Sequence, residues 1–175
     1  MPIAKIAPSP TDEVFREHVK KLIDSAQKEI LVIAGELGSY RFPDLKWAMD
    51  RALERGVKIR VYASHPDQAL VNGLLAKGCE IHIGKEIKDH YLIVDARSFI
   101  HSKPHQPILG IREGEAYTNE PEKTQKTIRK FNQLISKAKQ KKTIQWNKDP
   151  VWKALQNPPD WGVRTDSSRL EEEPL

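Results

Sequence analysis

Lys88, His90 and Asp95 surround a short apolar run in the stretch KDHYLIVD, and residues of these types either build an active site or flank a buried strand. Alternate residues of a strand share a face, so Lys88 and His90 are expected to project together. On spacing alone the plainer reading is the commoner one: a core strand over 91–94, entered by two exposed polar residues. A second concentration of candidate ligands is HSKPH, with His101, Lys103 and His105. A metal there would need a third ligand from elsewhere, His82 or Asp95, and two histidines four apart in a loop are more often a solvated turn, so no metal is expected. His18 and His65 read as surface residues.

A different chemistry belongs to residues 120–142, where eight basic residues face two acidic ones, a local balance of +6 in a chain of net charge +5. Such a run is most often a solvated helix face. The alternative is an electrostatic track for nucleic-acid phosphates, to which Lys126, Arg129, Lys130, Lys137 and Lys141 would contribute salt-dependent, sequence-independent affinity. GELGSYRF, with Gly35 and Gly38, is a loop where phosphate could meet backbone amides, although two glycines alone are a weak signal.

The elements that must position these groups follow from periodicity. TDEVFREHVKKLIDSAQKE has apolar residues at helical spacing, with Thr11 or Asp12 as its N-cap, and runs into the apolar strand 30–34. FPDLKWAMDRALERG is a second helix with Pro43 in its first turn and Gly56 beyond its end, followed at once by the strand VKIRVYAS. PDQALVNGLLAKG and CEIHI repeat the unit, which predicts parallel pairing with right-handed crossovers. From Ile87 onward HYLIVD, RSFIH, PILGI and EAYTN are strand-like with no helix between them, so an antiparallel portion is expected. The predicted fold class is therefore α/β, a mixed, mainly parallel sheet with helices on both faces. The last helix is predicted to run through 120–142.

At 175 residues the chain suits one domain, divided here as a leader over 1–10, the domain over 11–142, and a partly disordered tail over 143–175. Trp146, Trp152 and Trp161 in that tail read as packing groups rather than base-stacking ones. No apolar run approaches the roughly 18 residues that span a bilayer, and the N-terminus has no signal-peptide pattern, so a cytoplasmic protein without membrane insertion is expected. Cys79 is the single cysteine, which excludes an internal disulfide and reads as a small core residue.

Three stretches, EVFREHVKKLIDSAQKEILVIAGEL, LKWAMDRALERGVKIRVYAS and KGCEIHIGKEIKDHYLIVD, together resemble one half of a phospholipase D domain. The likeness covers about 12–139. Members of that superfamily carry H-x-K-x-x-x-x-D, in which the histidine attacks phosphorus and the lysine holds phosphate oxygens, with two copies facing each other from one chain or from a homodimer. Anchored on Asp95, this chain has Lys88 in the histidine's place and His90 in the lysine's. A lysine there is protonated near neutral pH unless strongly desolvated, and a protonated amine cannot attack phosphorus. A G-S-x-N segment usually follows the motif; the corresponding stretch here offers Thr118 and Asn119 without a Gly-Ser pair. His101-x-Lys103 matches only the first three motif positions, since Ile108 stands where the aspartate belongs.

The resemblance thus implies a degenerate site with candidate catalytic residues His90, Lys88 and Asp95 and candidate ligand-binding residues Thr118 and Asn119, to which the basic run adds Lys126, Arg129 and Lys130. The expected function is a phosphate- or nucleic-acid-binding regulatory module without robust catalysis and without a cofactor. The alternative is a homodimeric, metal-independent nuclease or phosphodiesterase in which His90 takes the nucleophile's role. A scaffold docking its partner through the tryptophan-containing tail is a third reading.

Overall fold

Tight joints between apolar runs leave the chain few ways to fold, and the outcome is a single mixed sheet. The computed structural model describes residues 4–9, 13–103 and 112–142. In chain order the elements are β1 (Ala4–Ser9), α1 (Glu13–Ser25), β2 (Glu29–Ala34), α2 (Pro43–Glu54), β3 (Lys58–Ala63), α3 (Gln68–Ala76), β4 (Glu80–Ile83), β5 (His90–Val94), β6 (Ser98–Ser102), β7 (Arg112–Tyr117), α4 (Pro121–Ser136) and β8 (Gln140–Lys142). Among the described residues the strand order is β1-β7-β6-β5-β2-β3-β4-β8. β2, β3 and β4 are parallel at the centre, while β5, β6, β7 and the two edge strands add antiparallel pairings.

Local chemistry explains the joints. Pro43 opens α2 where its missing N–H costs nothing, and Asp67 caps α3 by accepting from the Leu70 N–H at 3.1 Å. Gly56, at φ 82°, supplies the left-handed residue that ends α2, and the Val57 N–H then closes on the Ala52 carbonyl at 3.0 Å. The N-cap candidates Thr11 and Asp12 lie outside the described residues.

Alternation along the strands sends side chains into two cores. On one face Ile30, Val32, Ile59, Val61, Ile81, Leu92 and Val94 meet Phe15, Val19 and Ile23 of α1 and the apolar stripes of α2 and α3. On the other, Leu31, Ile33, Tyr62, Ile93 and Phe99 meet Phe131 of α4. Each large side chain buried this way contributes roughly 1.5–3 kcal/mol. Cys79 belongs to the first core, where burial pushes its thiol up to about 11, so it is not a nucleophile at neutral pH.

Two expectations are corrected. The leader is not a separate segment, because 4–9 pair with β7 as an edge strand, a place that tolerates the proline of this stretch with a register shift between Ile6 and Ser9. The last helix stops at Ser136 rather than continuing to Lys142; the chain turns back, Lys139 donates to the Ile83 carbonyl at 2.8 Å, and β8 pairs with β4. Basic and polar composition alone does not distinguish a fraying helix end from a short charged edge strand. PILGI and the tail over 143–175 fall outside the described residues.

Close packing of the second core gives one sharp test. A Cβ on Gly84 would overlap the hydroxyl of Tyr62 and come within 3.0 Å of its ring. Tyr62 has little room to yield, being 1% exposed and donating to the Lys85 carbonyl at 2.8 Å. Gly84→Ala is expected to cost about 2 kcal/mol, read as a lower urea midpoint at unchanged slope.

Candidate functional site

In an open α/β sheet the crevice beyond the carboxyl ends of parallel strands is the natural binding place. Here a cavity of about 480 Å³ lies there, lined by the segment that leaves β2, by Ser64 and His65 after β3, by His90 at the start of β5 and by Ser102 at the end of β6. The Gly35 carbonyl accepts from both the Ser64 and His65 N–H groups at 3.1 Å, which fastens the two strand ends together. His90 and Ser102 are direct partners in the β5–β6 register. A Cβ on Gly35 would lie 3.5 Å from His90 Nε2 and 3.7 Å from Ser64 Oγ, so the absent side chain keeps the space beside the imidazole open. His65 Nδ1 is 3.2 Å from Ser64 Oγ.

The cluster expected around His90 does not assemble. β5 begins at His90, so the strand alternation that was to align Lys88 with it does not extend that far; Lys88 sits in an exposed bend and does not line the cavity. Asp95 lies at the opposite end of β5, roughly 17 Å away at the usual strand rise. There its carboxylate accepts from the N–H groups of Gln27, Lys28 and Glu29 at 2.9, 2.7 and 2.9 Å, tying the β5–β6 hairpin to the α1–β2 joint. Burial opposes ionisation of Asp95, but those three donors outweigh it and hold the carboxyl below its ordinary range. Asp95 and Ala96 have φ of 52° and 54°, with the Arg97 N–H bonded to the Val94 carbonyl at 3.1 Å, the geometry of a type I′ turn.

Thr118 and Asn119 are also at that far end. The Asn119 N–H donates to Ser98 Oγ at 3.0 Å and its side-chain oxygen accepts from Arg97 at 2.8 Å. Neither Thr118 nor Asn119 lines the cavity. The serine donors near His90 are instead Ser64 and Ser102, which motif spacing did not single out; the carboxyl-end rule and the β5–β6 hairpin register would have found them.

The second constellation is also divided differently. His101 Nε2 lies 3.1 Å from Asp89 Oδ1, and its ring stacks on Tyr91 at 4.7 Å between centroids and 10° between planes. His105 is outside the described residues. On α4 the side chains of Lys126, Arg129 and Lys130 are exposed, at spacings that put them on one face. Lys130 Nζ lies 4.8 Å from the Tyr91 ring centroid and donates to the Tyr91 hydroxyl at 3.4 Å. Tyr91 also lines the cavity, so the basic helix and the His90 cavity share a residue.

No family model and no curated protein matches the sequence significantly. Solved structures match the fold. Nuc from Salmonella typhimurium, a phospholipase D family member, aligns with a TM-score of 0.59 at 17% identity, over 74% of this chain and 91% of that one. The fold is phospholipase D-like. NucT from Helicobacter pylori gives a TM-score of 0.59 at 14% identity, over 75% of this chain and 94% of that one. TrmBL2, an archaeal chromatin protein whose structure shows a mode of DNA binding, gives 0.56 at 18% identity, over 76% of this chain and 52% of that one. This phospholipase D-like chain therefore has its mixed α/β sheet in common with all three. Among its described residues no helix is long and apolar enough to cross a membrane.

Proposed function

We propose that the chain is a phospholipase D-like module that binds nucleic acid or another phosphorylated ligand without robust phosphodiester cleavage. One observation carries this reading: among the described residues, no lysine or arginine lines the cavity with the imidazole. The described residues lining the His90 cavity include Glu36 and Glu86 but no lysine or arginine, while Lys126, Arg129 and Lys130 stand exposed on α4. Attack on phosphorus needs the charge developing on its oxygens to be held by aligned cations or several donors. Serine hydroxyls can position a phosphate, yet Lys88, expected to project with His90, is not among the residues that line the cavity. Association needs less, and a row of exposed cations suffices to gather phosphates by counterion release. The DNA-binding chromatin protein of the same fold supports a nucleic-acid ligand over a small phosphate ester.

In this reading His90 contacts the phosphate nearest the sheet end and the others follow α4. His90→Ala is expected to weaken binding of a single-stranded oligonucleotide about tenfold, since one charge-assisted hydrogen bond is worth roughly 1.5 kcal/mol or more. Fluorescence anisotropy checks this; equal affinities for wild type and variant would remove His90 from the site. A second reading has one supporting observation, that His90 lines a cavity with serine hydroxyls close by. Two copies pooling their histidines would then form a nuclease or phosphodiesterase. Metal-independent cleavage of an activated phosphodiester, lost in His90→Ala, is the result that favours it.

A further inference from the structure

We infer that the cavity beside His90 takes an unstacked nucleobase, so that the nucleic-acid ligand is single-stranded where it meets this end of the sheet. The inference rests on the proposed nucleic-acid function and names which part of the ligand goes where. Its ground is the character of the cavity. Phe15, Leu37, Leu45 and Ile87 line it with apolar surface, and Glu36 and Glu86, both exposed, set two carboxylates at its rim. Such a lining disfavours a bare phosphate inside the cavity, so the phosphate that His90 contacts stays at the mouth, and the interior suits a flat neutral group with apolar faces and hydrogen-bonding edges. A nucleobase has both, and carboxylate oxygens accept from the exocyclic amino group of cytosine. Ser64 and Ser102 add hydroxyls that can donate or accept.

The second ground is continuity. Tyr91 lines the cavity and also lies beneath Lys130 of the basic helix, at 4.8 Å from ammonium to ring centroid. A strand whose phosphates follow Lys126 and Lys130 is thereby led to the cavity mouth. One base turned out of the stack can enter while the backbone stays on the cations, the division of labour usual for single-strand binding. A duplex must first give up a pair, which costs a few kcal/mol.

The test compares, with the full chain, a short oligodeoxycytidine and a strand of equal length and charge made of abasic sites, by fluorescence anisotropy at fixed salt. The oligodeoxycytidine is expected to bind at least about tenfold more tightly, the scale of one stacked base. Gly35→Val, which places a side chain between His90 and Ser64, is expected to erase that preference, whereas Trp47→Ala, on the exposed side of α2, keeps both the preference and the abasic affinity. Gly35→Ala, whose Cβ makes only ordinary contacts of 3.5 and 3.7 Å, serves if the valine variant does not fold. Equal affinity for both strands, or a preference that survives the Gly35 variants, overturns the base site while nucleic-acid binding stands. Binding of neither strand overturns both.

Discussion

Asp95→Ala is expected to lower the stability of the fold by about 3 kcal/mol, more than any change at the cavity. The carboxylate is the shared acceptor of three backbone N–H groups at 2.7 to 2.9 Å, and a hydrogen bond to a charged group is worth roughly 1.5–3 kcal/mol. Alanine also suits the left-handed backbone at φ 52° less well than aspartate, by about 1 kcal/mol. Because part of the joint is exposed, water takes over some of the orphaned donors, which holds the total to about 3 kcal/mol. For a chain of this size that is a fall in Tm of roughly 6–12 °C. The effect has a pH signature. Asp95 has a folded-state pKa below its unfolded one, so its contribution is present above the ordinary carboxylate range and is lost as pH falls through the folded value. The gap in Tm between wild type and Asp95→Asn is therefore expected at neutral pH and should close in acid; a gap that persisted unchanged in acid would place the stabilisation elsewhere.

Replacing Lys126, Arg129 and Lys130 together by alanine is expected to weaken single-strand binding on the order of 100-fold at about 0.1 M salt. Each phosphate neutralised on a single strand contributes about 0.7 to the slope of log affinity against log salt, so three lost contacts flatten that slope by about 2. The fold should not suffer, because all three side chains are exposed and the helix is held by Thr124, Thr127 and Phe131 on its buried side. Lys130 gives up its contact with Tyr91, a cost of about 0.5–1 kcal/mol at an exposed site. A salt titration separates this from a loss of shape: unchanged slope with reduced affinity would mean that the cations were not meeting phosphates.

Much of this was legible in the residues. The strand-helix alternation from 13 to 83 dictates the parallel centre, because each joint is too short for anything but a crossover, and Gly56 and Gly78 mark the helix ends by needing positive φ. His90 was singled out through the resemblance to the phospholipase D motif, since spacing alone favours a plain strand entered by exposed polar residues. What spacing could not give was the place where β5 begins. Placing the strand start two residues earlier aligns Lys88 with His90; the actual start leaves Lys88 on the bend. Asp95 misleads for the opposite reason, since a carboxylate at a hairpin turn finds backbone donors from a joint almost seventy residues away in sequence, which no local pattern reveals. Ser64 and Ser102 are silent in sequence because a serine after a strand is ordinary; only the carboxyl-end crevice and the His90–Ser102 register make them neighbours of the imidazole. The pairing of 4–9 and of 140–142 was not legible, both being short edge strands whose pairing partners lie far along the chain.

The central claim, association with nucleic acid rather than its cleavage, is tested most directly by incubating one labelled single-stranded oligonucleotide with the chain and following anisotropy and strand length together in the presence of a chelator. A salt-sensitive complex with the strand intact, weakened in His90→Ala, is the predicted result. Metal-independent scission that disappears in His90→Ala would contradict it and make this phospholipase D-like chain an enzyme.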